Sequence, residues 1–174
     1  MTKRVLILAT DGFEQSELIE PKKALEAAGI QTVVASPKTG SIKGWNRTDW
    51  GESVRVDAAL GEVSAEDFDA LMLPGGQMNP DSLRLDDEVI GLIGDFDEAE
   101  KPIAAICHGP SLLVEADIVD GRAVTSWPSI RTDLENAGAQ VFDEEVIVDG
   151  NLITSRMPSD IAAFSQALIA ALEE

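Results

Sequence analysis

The 174-residue chain carries 32 Asp and Glu against 13 Lys and Arg, a formal net charge of −19, and 44% of its residues are hydrophobic. That length and apolar content fit one domain with a core of its own and exclude wholesale disorder; the acidity leaves no basic footprint for nucleic acid or an anionic membrane. A single cysteine, Cys107, and a single histidine, His108, exclude an intramolecular disulfide and a structural zinc site built on about four such ligands.

Taken in chain order, Met1 to Arg4 leads into Val5–Ala9, a run too short for a signal-peptide core that reads as a buried strand. No apolar stretch approaches the roughly 18–20 residues of a membrane span, so a soluble, cytoplasmic protein is expected. Glu17–Ala28 has helical spacing, with Leu18, Leu25 and Ala28 on one side, Pro21 disturbing its first turn and Gly29 as its stop. Thr32–Ala35 is a second strand. Ser41–Val56 is polar, holds Trp45 and Trp50, and reads as a loop or a small hairpin excursion. Ala70–Leu73 is a third strand, stopped by Pro74-Gly75-Gly76, and Asp87–Ala99 a helix with Val89, Ile90, Ile93 and Phe96 apolar. Ile103–Ile106 is a fourth strand, followed by a short helix over Pro110–Ala116. Ala123–Thr125 is another strand, Ile130–Ala137 another helix, and Val146–Val148 with Leu152–Thr154 a hairpin turning at Asp149-Gly150. Asp160–Leu172 is a C-terminal helix.

Strands alternating with helices predict one doubly wound α/β domain over residues 1–174, a mostly parallel sheet covered on both faces as a three-layer sandwich, with a C-terminal antiparallel hairpin. Ligands of such sheets sit at the carboxyl ends of the strands. Asp11–Glu14, Gly75-Gly76 and Cys107-His108 all fall there.

Cys107 ends an apolar strand abruptly, Gly109 permits a tight turn, and Pro110 suits the first turn of a helix. That is the pattern of a nucleophile elbow, with helix N–H groups aimed at the sulfur. A lone cysteine is more often a small buried hydrophobe; the elbow and the adjacent His108 favour the reactive reading. Glu14, just past the first strand, is either a solvated acid at a helix start or a neighbour of Cys107. A charged carboxylate beside the thiol would suppress thiolate, so a Glu14 in contact with sulfur should be protonated and donate a hydrogen bond to it. Gly75-Gly76 is either an ordinary turn or a backbone that aims an N–H at a developing oxyanion. Trp45, Trp50 and Trp127 are too dispersed in sequence for a stacking platform, though Trp127 follows a strand and is a candidate for the pocket wall; Arg156 could bind a substrate carboxylate but is expected to pair with one of the many acids.

These segments resemble the PfpI family, described as intracellular cysteine peptidases or general stress proteins within the class I glutamine amidotransferase-like superfamily. The likeness runs through Phe13-Glu14, Leu71–Gly76, Lys101–Pro110, Thr125–Pro128, and Val148–Asn151 on to Ser155-Arg156. The resemblance implies a flavodoxin-like fold. It makes Cys107 the nucleophile, Glu14 the acid at the sulfur and His108 the second catalytic residue, with the N–H groups of Gly76 and His108 as oxyanion hole. In peptidase members a glutamate from a neighbouring subunit orients the histidine; the matching place here holds Asp81, one methylene shorter and after a slightly longer loop. A homodimer or larger homo-oligomer with an intersubunit site is therefore implied.

The expected function is that of a general stress protein with a cysteine nucleophile, acting as a protease on peptides or as a deglycase or glyoxalase on small carbonyl compounds and their adducts. The alternative is a redox-responsive stress protein or chaperone in which oxidation of Cys107 is the signal. No cofactor or metal is called for.

Overall fold

A computed structural model describes all of residues 1–174. Seven strands form the central sheet. In chain order the elements are β1 (Arg4–Leu8), α1 (Gln15–Ala27), β2 (Gln31–Ser36), β3 (Ser41–Asn46), β4 (Asp49–Arg55), β5 (Ala58–Ala59) and β6 (Ala70–Leu73). They continue with α2 (Met78–Leu83), α3 (Asp87–Glu98), β7 (Ile103–Ile106), α4 (Ser111–Glu115), β8 (Ala123–Val124) and α5 (Arg131–Asn136). The last are β9 (Gln140–Val141), β10 (Ile147–Asp149), β11 (Leu152–Ser155) and α6 (Ile161–Glu173). No helix is long and apolar enough to cross a membrane.

The sheet order is β10-β11-β7-β6-β1-β2-β5, parallel throughout except for the β10–β11 pair. This is the mostly parallel, doubly wound sheet with a terminal antiparallel hairpin that the strand-helix alternation predicts. Strands β6, β7 and β11 are buried at every residue, because helices cover both faces. Side chains then alternate between two cores. Leu6 and Leu8 join one apolar cluster with Leu71, Leu73, Ile103 and Ala105; Val5 and Ile7 join the other with Met72, Ala104, Ile106 and Phe164.

From β1 the chain winds outward to β2, then returns to lay β6 on the other side of β1. The crevice at the carboxyl ends of β1, β6 and β7 is therefore the switch point of the winding, where the chain ends splay apart and leave room for a ligand.

Several expectations change in detail. The polar stretch after β2 is an antiparallel hairpin, β3–β4, lying outside the main sheet. It docks on the segment before α1, where the N–H of Trp45 donates to the Phe13 carbonyl at 2.8 Å and the N–H of Gly12 to the Lys43 carbonyl at 2.8 Å. Strand β8 does not join the central sheet; it pairs with β9 as a separate ribbon. Helix α2 was not visible as a periodic segment, being six residues of mixed polarity. Pro21 sits buried inside α1, which continues through it. The terminal hairpin turns over Gly150-Asn151, with Gly150 at φ +57°. Arg156 pairs as expected, bridging Asp160 and Asp143 at 2.9 and 3.0 Å.

Candidate active site

Cys107 stands in the left-handed region at φ +64°, a conformation that costs a non-glycine residue about 1 kcal/mol or more and gathers at functional sites. The turn is pinned on every side. The Cys107 N–H donates to the Ser155 carbonyl at 3.0 Å, the Trp127 N–H to the Cys107 carbonyl at 2.9 Å, and the Gly109 N–H to the Ile106 carbonyl at 2.9 Å. Neighbouring strand ends thus hold the elbow open, and the sulfur faces a cavity of about 650 Å³ that also touches Glu14, Glu17, Trp45, Arg47 and His108.

The N–H groups of Gly76 and His108 face the sulfur and favour its thiolate. Gly76 adopts φ +85°, packed against the backbone of Gly12 to Glu14, so a side chain there would collide with main-chain atoms.

The carboxyl that meets the sulfur is Glu17, one turn beyond the acid singled out by sequence. Glu14 is half-exposed at the start of α1, its pKa raised by partial burial and moderated by the Ser16 hydroxyl, which donates to it at 3.5 Å. Glu17 lies in the first turn of α1, fully buried, with the Cys107 thiol and the N–H groups of Gly75 and Gly76 around it. None of these is aligned well enough for a full hydrogen bond, so both carboxyl oxygens are left without a partner. Burial first, and the charge of Glu14 second, push Glu17 up to about 8. The first helical turn points Glu17 back toward the strand ends, while Glu14, still in extended conformation, stays half-exposed on the cavity wall. A signal existed in the sequence. Glu17, Pro21 and Leu25 fall on one stripe of α1 with Leu18 and are all buried, so Glu17 is a carboxylate on an apolar stripe.

Burial and a charged Glu17 together would push the thiol up as well. The pair therefore holds at most one negative charge. With Glu17 protonated, its repulsion vanishes and its O–H becomes a donor to the sulfur, leaving the thiolate with three donors. His108 is half-buried, which lowers its pKa and leaves the imidazole neutral at pH 7; it stacks on Trp127 with ring centres 6.0 Å apart.

The DJ-1/PfpI family model matches residues 3–171. The chain belongs to the DJ-1/PfpI family. It is 46% identical to general stress protein 18 of Bacillus subtilis over the whole of both chains. It is 44% identical to YraA of the same organism, named as a candidate cysteine protease, over 95% of this chain and 96% of that one. A deglycase of Thermococcus kodakarensis is 43% identical over 95% of this chain and 97% of its own. Among solved structures, a two-domain Anabaena variabilis protein with DJ-1/ThiJ/PfpI-like and ferritin-like domains superposes with a TM-score of 0.93 at 37% identity. The match covers 99% of this chain and 48% of that one, so this chain spans about half its length.

Within this DJ-1/PfpI chain Asp81 sits exposed on α2. It lines a second cavity, of about 450 Å³, that shares Gln77, Met78 and His108 with the first, and it does not reach the Cys107 cavity itself. Trp127 lines the Cys107 cavity as its place after a strand suggests, and Trp45, distant in sequence, lines it too. Sequence reasoning also missed Arg47, on the tip of the β3–β4 hairpin; nothing local marks which loop residue a docked hairpin presents. No group of three or more His, Cys, Asp or Glu side chains is placed to hold a metal ion.

Gly75 is a second tight joint of the site. A Cβ there would lie 2.5 Å from Glu17 Oε1 and 2.7 Å from both Cys107 Cβ and the Ile106 carbonyl. Gly75→Ala should cost about 1–3 kcal/mol through overpacking. A lowered urea midpoint with unchanged slope would show it, and an unchanged midpoint would mean that the β6 turn is free to move.

Proposed function

We propose that this chain is a cysteine-dependent enzyme that adds its Cys107 thiolate to small carbonyl compounds, as a glutathione-independent glyoxalase or a deglycase of carbonyl adducts. The observation that carries the reading is the buried Glu17 carboxyl set against Cys107, with the Gly76 and His108 N–H groups on the same sulfur. The deglycase and stress-protein names of similar chains agree with it.

With methylglyoxal, the thiolate adds to the aldehyde carbon and forms a C–S bond. The new alkoxide takes the proton held by Glu17 while the Gly76 and His108 N–H groups stabilise its charge. Neutral His108 or the now ionised Glu17 removes the carbon-bound hydrogen as a proton, the hydroxyl proton passes to the neighbouring carbonyl oxygen through the enediol, and return of the first proton to the adjacent carbon gives a lactoyl thioester. Water cleaves that thioester to lactate and restores the thiol. One water enters, and no oxidant or reductant is needed. Purified protein with methylglyoxal and no added thiol should form lactate as methylglyoxal disappears; none formed would remove the reading.

Peptide hydrolysis by the same thiol comes second. It is favoured by the placement of Asp81 on the cavity beside His108, where a homo-oligomer would bring a second acid to the imidazole. Cleavage of a fluorogenic peptide that is lost in His108→Ala, by a protein that elutes as an oligomer, is the outcome that would promote it.

A further inference from the structure

In so acidic a chain, cations without partners are scarce. Of the 13 Lys and Arg side chains, seven are ion-paired to carboxylates. Arg4 and Lys101 donate to backbone carbonyls, and Lys43 lies over the Trp50 ring. Lys23, Arg47 and Arg55 are left, and of these only Arg47 lines the cavity that holds Cys107. Two acids, Glu14 and Glu17, line the same cavity, yet the Arg47 guanidinium pairs with neither.

The backbone singles out the same residue. Arg47 has φ +60°, and the Thr48 N–H donates to the Asn46 carbonyl at 2.8 Å, closing a three-residue turn of the rare, strained hand around Arg47. Glycine would take that position without strain. The indole N–H of Trp45 donates to the Arg47 carbonyl at 2.9 Å and ties the tip to the cavity wall. A strained arginine on the wall of the cavity that holds a reactive thiol, about 650 Å³ in volume, is more than a methylglyoxal-sized substrate requires.

We propose that Arg47 recognises an anionic group, and that the Cys107 cavity takes α-ketoaldehydes or their adducts that carry a carboxylate or phosphate away from the reacting carbonyl. The planar guanidinium meets either oxyanion through paired N–H donors. Without it, such a substrate would meet no cationic side chain at the cavity, beside two acids and on a molecule of net charge −19. The chemistry is that of the preceding section, on which the turnover arm of this proposal rests. 4,5-Dioxopentanoate plus water gives 2-hydroxyglutarate, and 3-phosphonooxy-2-oxopropanal plus water gives 3-phosphoglycerate. In both, the thiol adds at the aldehyde carbon, one hydrogen moves to the neighbouring carbon as a proton, and water releases the acid.

The test has two arms. Cys107 is the only cysteine, so alkylation of the intact protein reports on this site alone. The ratio of iodoacetate to iodoacetamide rates should fall about five- to tenfold in Arg47→Ala and Arg47→Gly, and Arg47→Lys should recover most of it. Arg47→Gly, which relieves the turn, guards against misfolding: its urea midpoint should equal or exceed that of the wild type. An alkylation ratio that is the same in wild type, Arg47→Ala and Arg47→Gly overturns the proposal, whether or not the protein turns over any aldehyde. In the second arm, wild type should show higher kcat/KM for the two anionic ketoaldehydes than for methylglyoxal, and Arg47→Ala should shrink that preference; the anion whose preference shrinks more is the one recognised. A wild-type preference for methylglyoxal overturns the substrate class. If no ketoaldehyde is turned over while the alkylation ratio still depends on Arg47, the thiol-addition reading falls and the anion site stands.

Discussion

Replacing Cys107 by alanine should lower lactate formation from methylglyoxal by about 10³-fold or more, to the background of the buffer, because loss of a covalent nucleophile removes the pathway itself. The chain makes this a clean experiment. It has no second thiol to substitute for the first, and its one imidazole, His108, is held against Trp127 as a neutral base. Alanine keeps the backbone φ of +64° at the same conformational cost as cysteine, so the fold should survive. The urea midpoint should not fall by more than the loss of one small buried sulfur accounts for. Lactate formation retained in folded Cys107→Ala would exclude the thiol from the reaction, and with it the mechanism proposed above.

Glu17→Gln should stabilise the protein in alkaline solution while impairing turnover. The carboxyl has its pKa raised to about 8 by burial, from an ordinary value of 4.5. The folded state therefore holds a proton that the unfolded chain releases across that interval. Stability falls as pH rises from about 4.5 to about 8, and above that the burial of a charge costs the full shift, on the order of 3–5 kcal/mol. Glutamine has the same shape and no charge. Wild type and Glu17→Gln should have similar urea midpoints near pH 4, and the variant should be the more stable by a few kcal/mol at pH 8.5. A variant that tracks the wild type across this range would show that Glu17 is not buried as a neutral acid. For catalysis, glutamine keeps an N–H to face the sulfur but cannot give up or take back a proton, so turnover should drop about 10²–10⁴-fold. Alkylation of Cys107 should change far less than turnover. The same substitution at Glu14, which is half-exposed, should move the pH–stability curve less.

The legible parts of the site are those built within a few consecutive residues. Ile106-Cys107-His108-Gly109-Pro110 carries its own geometry, since a strand that ends against Gly and Pro can turn only sharply. Pro74-Gly75-Gly76 does the same for the loop that faces it. The alternation of apolar runs places both at the carboxyl ends of neighbouring strands, and the sheet order confirms that they adjoin, β6 beside β7. The same reasoning points to Glu14 and passes over Glu17, because which acid faces the strand ends depends on where the first turn of α1 starts, and Pro21 blurs the periodicity that would tell. Helix α2 leaves no periodic signature in the sequence because six residues complete fewer than two turns and show no stripe.

By itself, then, the sequence determined the doubly wound α/β fold, the strand-to-helix elbow at Cys107, and the restriction of any thiol or imidazole chemistry to Cys107 and His108, all of which follow from composition and short-range order. Only the tertiary structure decided which carboxyl meets the sulfur, that Trp45 and Trp127 line one cavity, that Asp81 belongs to the adjoining cavity, and that Arg47 lines the cavity of the thiol. Each of those depends on how a hairpin or a helix docks against the ends of the sheet. Docking is set by burial summed over many distant side chains, a quantity that no local spacing encodes.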